Sequence, residues 1–183
     1  MDHAETYLKD LQDALAVLDL DQVKKARQAL SEARAEGKQI FVCGNGGSAS
    51  TASHLATDLG KGASQASAEA FKVMSLTDNI AWITALANDM SYEHVFVEQL
   101  RNFAQQGDVL LAISASGNSP NVIKAVEFAN QQGLTTLGWT GFDGGRLASL
   151  VDLPIVVDSH HMGRVEDVHI VLMHLVCYYF MES

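Results

Sequence analysis

The 183-residue chain has the length of a single domain and is long enough to bury a sizeable core. Apolar residues make up 48% of it and charged residues 19%, which excludes a disordered chain and a coiled coil. With 12 Lys and Arg against 22 Asp and Glu, the net charge of −10 disfavours broad contact with nucleic acid or anionic lipid. We therefore expect one globular domain, residues 1–183, that binds neither nucleic acid nor membrane.

The expected compartment follows from the N-terminal sequence and the cysteines. No apolar run approaches the roughly 18 residues of a membrane span, and the first 20 residues lack the basic start and apolar centre of a signal peptide. Cys43 and Cys177 lie in apolar segments without the spacing of a structural zinc site, which predicts buried free thiols. We expect a cytoplasmic protein.

The first part of the chain predicts two helices. Leucines recur at spacings of three or four from Tyr7 to Leu18, and a second helical pattern follows from Val23 to Ala35. Asp21 is the predicted cap of the second helix, and Gly37 is predicted to end it.

From residue 39 onward, short apolar runs alternate with helical segments. The five runs are continuous rather than alternating, which is typical of strands covered on both faces in a parallel sheet; they are Gln39–Cys43, Phe71–Leu76, Val109–Ile113, Thr135–Trp139 and Leu153–Val157. The helical segments are Ser48–Leu59, Ile80–Leu86, Tyr92–Phe103, Asn121–Gln132 and Val165–Phe180. This order predicts an α/β fold, a doubly wound five-stranded parallel sheet flanked by helices.

Two of the strand-to-helix loops have the same kind of composition. The first strand runs into the sequence GNGGS at residues 44–48, and the third runs into SASGNS at residues 114–119. Ligands of an open parallel sheet bind outside the carboxyl ends of the strands, so the two loops can converge on one ligand. Glycine allows close backbone approach, while helix N-termini and serine hydroxyls favour an anion. The loops predict a phosphate site, with ordinary turns of the same composition as the alternative.

A dinucleotide-binding loop is a competing interpretation of the first motif. Gly44, Gly46 and Ala49 satisfy the G-x-G-x-x-G/A pattern. However, the carboxylate that normally holds the ribose is expected about 20 residues beyond the glycines, and Asp78 lies about 30 residues on. The second, serine-rich loop would also have no role, so a dinucleotide is disfavoured.

Two helices each carry an imidazole and a carboxylate. His54 and Asp58 are four residues apart and share a helix face, and Glu166 and His174 are eight apart on the last helix. These four residues could ligate zinc or act as an acid/base pair, and spacing alone does not choose between the two roles. His169 could join them, or it could equally be a core or interface histidine.

Taken together, these motifs resemble the sugar isomerase (SIS) domain family and, within it, the phosphoheptose isomerase branch. The resemblance covers nearly the whole chain and rests on CGNGGS at 43–48, His54 with Asp58, AND at 87–89, GDVLLAISASGNSPNVIKA from Gly107, TGFDGG from Thr140, and the last helix with its histidines. That branch interconverts sedoheptulose 7-phosphate and a manno-heptose 7-phosphate, a step that serves lipopolysaccharide heptose biosynthesis.

The resemblance implies a site and an assembly. It implies a homotetramer with active sites between subunits, and we expect the helical segment 1–36 in its interface. By position, the substrate-binding residues are Asn45, Gly46, Gly47, Ser48, Asn88, Asp89, Ser114, Ala115, Ser116, Ser119 and Glu166. The zinc positions fall on His54, Asp58, Glu166 and His174, so Zn²⁺ is the expected cofactor. Asp58 takes the role of base and His174 that of acid or proton relay.

The chain also departs from that family. The family usually has Glu at Asp58, Gln at Glu166, Thr at Ala115 and an Asp near Gly163. The shorter Asp58 moves its carboxylate by roughly 1.5 Å, and enzymes respond to misplacement of about 1 Å. Some members of the branch are non-catalytic scaffolds, such as a regulator that binds the DnaA initiator, and these have lost the last-helix histidine. Because this chain keeps His54 and His174, an enzyme is the favoured hypothesis and a scaffold the alternative.

Overall fold

The computed structural model describes residues 2–66 and 69–182. Its five strands form one parallel sheet in the order β2-β1-β3-β4-β5. The strands are β1 (Gln39–Gly44), β2 (Lys72–Ser75), β3 (Val109–Ile113), β4 (Thr135–Thr140) and β5 (Leu153–Val156). The predicted doubly wound α/β fold is therefore confirmed, with strand ends that differ from the prediction by one residue.

Helices cover both faces of this sheet. The α-helices are α1 (His3–Ala16), α2 (Leu20–Ala35), α3 (Gly47–Thr57), α4 (Ile80–Asp89), α5 (Val97–Phe103), α6 (Pro120–Gln131), α7 (Gly145–Leu150) and α8 (Met162–Glu182). Helices α1, α2, α3 and α8 pack on one face, and α4 to α7 on the other. Successive strand residues point to opposite faces of the sheet. Ile40 and Val42 therefore belong to the core under α1, α2, α3 and α8, while Phe41 and Cys43 belong to the core under α4 to α7. This two-sided burial explains the continuous apolar runs.

The sequence analysis did not predict the first residues and caps of the two N-terminal helices correctly. Asp2 and Glu5 form a capping box at the start of α1. Helix α2 begins at Leu20 and not at Val23, and its cap is Asp19 rather than the predicted Asp21. The Asp19 carboxylate accepts hydrogen bonds from the backbone N–H of residues 21 and 22 at 3.0 and 3.1 Å, because Asp19 itself has extended backbone.

Other helical segments also differ from the prediction. Helix α4 ends at Asp89 rather than Leu86, and α8 begins at Met162 rather than Val165. The segment Tyr92–Phe103 divides into a 3-10 turn at Tyr92–His94 and α5. Helix α3 continues into a π-helical turn at Asp58–Ala63, a geometry that often accompanies functional sites. Helix α7 was missed, because six residues are too few for a helical period to be recognised in sequence.

The core holds both cysteines as predicted. Cys43 and Cys177 are buried free thiols, and burial raises the pKa of each to about 12. Both thiols are therefore held in the protonated, unreactive form. Separately, no helix in the described part of the chain combines the length and apolarity needed to cross a bilayer.

Candidate active site

The candidate site lies where the sheet reverses its direction of winding. β1 and β3 are neighbours, but α3 leaves β1 toward one face and α6 leaves β3 toward the other. The diverging loops leave a crevice at the carboxyl ends of the two strands, where open α/β sheets bind ligands. A cavity of about 330 Å³ occupies it, lined by Asn45, Gly46, Gly47, Ser48, Ser114, Ala115, Ser116, Ser119, Met162 and Glu166. The predicted convergence of the two loops is observed.

The glycines of the first loop allow the chain to make this cavity. Gly46 has φ +57° and precedes α3, in a backbone region that side chains disfavour. A Cβ on Gly47, the first residue of α3, would lie 2.6–2.7 Å from the carboxylate of Glu166. A side chain at position 47 would therefore displace the Glu166 carboxylate from its place beside α3.

The second loop brings a group of hydroxyls to the same cavity. Ser119 precedes Pro120, the first residue of α6, an arrangement typical of a helix start. Its Oγ lies 3.1 Å from Oγ of the buried Ser114. The loop thus presents neutral hydrogen-bond donors at a helix N-terminus, which suits an anion.

A pair of asparagines joins the two loops, and sequence reasoning identified only one of them. Asn45 and Asn121 exchange two side-chain hydrogen bonds, each 2.9 Å long. The Tyr92 hydroxyl also donates to Asn45 Oδ1 at 2.9 Å. Asn121 is 2% exposed and its role was missed, since a polar residue in the first turn of a helix is ordinary in sequence. Met162, which lines the cavity from α8, was missed as well.

Three of the four residues predicted to form the zinc or acid/base group come together. Helices α3 and α8 pack side by side, so that the rings of His54 and His174 lie 5.2 Å apart between centroids. Asp58 Oδ2 is 3.4 Å from His54 Nε2. One ligand atom from each of the three residues lies within 4.8 Å of the other two, and two nitrogens with a carboxylate oxygen are donors that zinc accepts.

The fourth predicted ligand does not belong to this group. Glu166 lies two turns before His174 on α8 and lines the cavity instead. The group itself lies beyond the cavity, because His54 follows Ser48 by six residues on α3, about 9 Å of helix rise. The four residues that sequence spacing placed in one group therefore divide between two neighbouring sites: three form the histidine–carboxylate group, and Glu166 lines the cavity.

His169 packs in the core rather than in the site. It is fully buried, with Nε2 3.2 Å from the carbonyl oxygen of Thr140. Burial disfavours the imidazolium and lowers the pKa of His169 to about 4. The structure therefore selects the core role for His169.

Asn88 and Asp89 lie apart from the cavity within a single chain. Both are exposed in the last turn of α4, where Asn88 Nδ2 donates to Asp89 Oδ1 at 2.8 Å. Neither lines the cavity between the loops. A single chain therefore does not bring this pair to the cavity.

A larger hollow of about 690 Å³ lies beside the outer strand β2, with Trp82, Phe103 and Asp78 in its walls. It contains none of the residues predicted for the site. It also lies at the edge of the sheet rather than at the reversal point between β1 and β3. The smaller cavity is accordingly the candidate active site.

The fold and this site place the chain in a known family. Residues 5–141 match the SIS domain, and the chain belongs to the SIS domain family. Within the family it groups with curated relatives named phosphoheptose isomerase. It is 37% identical over 175 residues to the one from Aliarcobacter butzleri, covering 96% of this chain and 89% of the relative. It is 43% identical over 144 residues to the one from Rhodospirillum rubrum, covering 79% of this chain and 76% of the relative.

The solved structures show the same relationship. The phosphoheptose isomerase from Neisseria gonorrhoeae superposes with a TM-score of 0.88 at 32% identity, over 99% of this chain and 96% of that one. The enzyme from Francisella tularensis gives a TM-score of 0.87 at 25% identity, over 99% and 95%. The resemblance inferred from the motifs is thereby confirmed along nearly the whole chain.

Proposed function

We propose that this phosphosugar isomerase interconverts sedoheptulose 7-phosphate and D-glycero-D-manno-heptose 7-phosphate. The proposal is carried by one observation: a cavity lined by serine hydroxyls and glycines of two loops lies about one and a half helical turns from a group of two histidines and a carboxylate. Two curated relatives named phosphoheptose isomerase, 37% and 43% identical to this chain, support the choice of sugar. The product would serve lipopolysaccharide heptose biosynthesis.

The cavity holds the phosphate in this proposal. Hydroxyls of Ser114, Ser116 and Ser119, with the first turns of α3 and α6, provide donors without a fixed cation. Phosphate binding energy then positions the far end of the sugar for reaction. That end would lie toward His54 and His174.

Asp58 and His174 carry out the proton transfer. Asp58 takes the proton from C1 of the ketose while His174 donates one to the carbonyl oxygen at C2, which gives the enediol. The C1 hydroxyl then returns its proton to His174, and Asp58 delivers the first proton to C2. The aldose results, and both side chains return to their starting protonation states.

The same three residues would hold a divalent metal, of which Zn²⁺ is the expected one. Their donor set and mutual distances fit such an ion. When bound, the ion would polarise the sugar carbonyl and stabilise negative charge on its oxygen. A carboxylate has two oxygens, so Asp58 can contact an ion through one and accept a proton through the other. A His174 ring nitrogen that ligates the ion holds no proton, so the proton that His174 relays would be carried by its other ring nitrogen. The resemblance also implies Glu166 as a ligand, but its position in the cavity favours a role in binding substrate.

We infer a homotetramer with active sites between subunits and with segment 1–36 in its interface. Exposed Asn88 and Asp89, which a single chain leaves outside the cavity, support a site completed by a second copy. Exposed apolar side chains on α8 beside His174 support the same arrangement. We place the reaction in the cytoplasm, where unpaired thiols such as Cys43 and Cys177 stay reduced.

Turnover of sedoheptulose 7-phosphate, followed by NMR or a coupled assay, tests the function. His174→Gln and Asp58→Asn keep the shape of each side chain but remove the proton carrier, so each should lower kcat by about 10²- to 10⁴-fold. His160→Gln, at an exposed histidine outside the group, should leave kcat unchanged. Elemental analysis should find zinc or another divalent metal in the wild type and less of it in His54→Ala.

Two outcomes would contradict the proposal. Full activity in folded His174→Gln would place the proton transfer elsewhere. A wild-type protein that binds phosphosugars but converts no ketose phosphate of five, six or seven carbons would favour the non-catalytic scaffold, whose partner could be a protein such as the DnaA initiator.

A further inference from the structure

Two side chains behind the cavity wall hold the amide of Asn45. Asn45 lines the cavity, and its side chain exchanges two hydrogen bonds of 2.9 Å with the buried Asn121. Asn45 Oδ1 also accepts a hydrogen bond of 2.9 Å from the Tyr92 hydroxyl. Neither Asn121 nor Tyr92 itself lines the cavity. Their influence on a ligand there would therefore pass through Asn45.

A backbone N–H at the start of α6 determines which way both amides point. Val122 is the third residue of α6, and the first four N–H groups of a helix have no partner within the helix. The Val122 N–H donates to Asn121 Oδ1 at 3.0 Å. Because a backbone N–H can only donate, the oxygen of Asn121 faces Val122, and Asn121 Nδ2 faces Asn45 Oδ1. Flipping both amides would keep their mutual hydrogen bonds but would set Asn121 Nδ2 against the Val122 N–H, donor against donor.

This orientation leaves Asn45 with a donor to offer to a ligand. Asn45 Oδ1 has two lone pairs, and the donors Asn121 Nδ2 and Tyr92 hydroxyl use both. Asn45 Nδ2 has two hydrogens and donates one of them to Asn121 Oδ1. The other hydrogen has no acceptor among residues 2–66 and 69–182. In the flipped orientation Asn45 would present an oxygen lone pair instead, which would repel a phosphate.

We propose that Asn121 and Tyr92 are positioning residues, which hold the Asn45 amide so that its free N–H donates to an oxygen of the bound phosphosugar. A phosphate oxygen is the best acceptor, because hydrogen bonds to a charged oxygen are roughly twice as strong as neutral ones. The two amides thus transmit the donor character of the α6 N-terminus to the loop that follows β1. The inference rests on the proposed function, because it assumes that Asn45 contacts the substrate.

A double-mutant cycle on kcat/KM for sedoheptulose 7-phosphate tests this role. Asn121→Leu keeps the branched shape but removes the amide, and kcat/KM should fall by about tenfold, mainly through KM. Tyr92→Phe removes one of the two donors to Asn45 Oδ1 and should lower kcat/KM by about threefold. In an Asn45→Ala background, each of these changes should alter kcat/KM by less than about twofold, because the residue through which they act is gone.

Asn130→Leu is the matched control on the same helix. The Asn130 amide also makes two hydrogen bonds, to the Leu150 carbonyl and from the Thr136 hydroxyl, but it lies outside the cavity lining. Asn130→Leu should lower the thermal midpoint and leave kcat/KM unchanged. Tyr92 is 55% exposed, so Tyr92→Phe should fold normally and provides the cycle by itself if Asn121→Leu does not fold.

The outcomes separate this inference from the proposed function. Effects of Asn121→Leu or Tyr92→Phe that are as large in Asn45→Ala as in the wild type would overturn the inference, since a structural role does not depend on Asn45. Unchanged kcat/KM in folded Asn121→Leu and in Tyr92→Phe would overturn it as well, with isomerase activity intact. A wild-type protein without turnover of sedoheptulose 7-phosphate would contradict the proposed function, and the inference with it.

Discussion

His169 shows how a single buried residue makes the stability of this protein depend on pH. It is enclosed between α8 and the end of β4, and its only hydrogen bond among the described residues is the one to the Thr140 carbonyl. The folded protein therefore holds the neutral imidazole, because burial lowers the pKa of His169 from its ordinary value of 6.5 to about 4. The unfolded chain binds a proton more readily, which favours unfolding in acid.

The sign and the size of this effect can be tested. The stability that neutral His169 contributes is fully present above about pH 6.5 and is lost as the pH falls toward 4. Between pH 7 and pH 5 the free energy of unfolding should therefore fall by roughly 2 kcal/mol. Urea unfolding at the two pH values should show this loss in the wild type and in His160→Gln. It should be much smaller in His169→Gln, and an equal loss there would contradict the assignment.

In the proposed function, phosphate binding depends on the loop between β3 and α6. Ser116 and Ser119 both line the cavity, and each contributes a hydroxyl at the start of a helix. A hydrogen bond of this kind contributes roughly 0.5–1.5 kcal/mol, and more when the partner is charged. The loop also depends on Gly117, whose φ of +64° favours glycine.

Removing both hydroxyls should weaken phosphosugar binding while the fold is kept. For Ser116→Ala combined with Ser119→Ala we expect KM to rise by about tenfold or more, with an unchanged thermal midpoint within a few degrees. Ser149→Ala removes a hydroxyl outside the cavity, from a serine that bonds the Arg146 carbonyl, and should leave KM unaltered. An unaltered KM in the double variant would mean that the phosphate binds elsewhere.

Helix α1 holds the first turns of α8, which carry Met162 and Glu166 into the cavity. The Tyr7 hydroxyl donates to Asp167 Oδ2 at 2.6 Å, and this hydrogen bond is the main reason that the pKa of Tyr7 is raised. Arg164 pairs with Asp10 at 2.8 Å and lies over the Tyr7 ring. These contacts of α1 thus fix the position of the part of α8 whose side chains line the cavity.

Loss of the hydrogen bond between Tyr7 and Asp167 should lower the stability of the protein. Tyr7→Phe keeps the ring and removes the hydroxyl, so we expect the free energy of unfolding to fall by about 1 kcal/mol. If Tyr7→Phe and Asp167→Ala proved fully additive in a double-mutant cycle, the hydrogen bond would contribute nothing measurable.

At the scale of the whole molecule, α8 exposes a row of apolar side chains. Ile170, Leu175, Tyr178 and Tyr179 are each 41–47% exposed, although the opposite side of the helix is buried. Several exposed apolar residues on one helix face indicate an interaction surface. His174 borders this surface, so a subunit bound there would also close off the group of His54, Asp58 and His174.

A charge on this face should therefore dissociate the homotetramer that we infer. For Leu175→Glu we expect a smaller particle by light scattering and a large loss of isomerase activity, because a buried unpaired carboxylate opposes association. Val156→Glu, at a residue of similar exposure on β5, should change neither. A wild-type protein that is monomeric at assay concentration and fully active would contradict a site shared between subunits.

The amino-acid sequence by itself determined the layers of the fold and the chemistry of the two loops. Continuous apolar runs predicted every strand, because burial on both faces requires apolar side chains at successive positions. Loop composition predicted the cavity, since glycines and serines before a helix favour anions wherever they occur on an open parallel sheet.

Only the tertiary structure decided which distant residues meet. His54 and His174 come together because α3 and α8 pack side by side, whereas Glu166, on the same helix as His174, reaches the cavity instead. The pairing of Asn45 with Asn121 depends in the same way on β1 and β3 being neighbours. Spacing along one element specifies which residues share a face, but the facing element is selected by packing of the whole core.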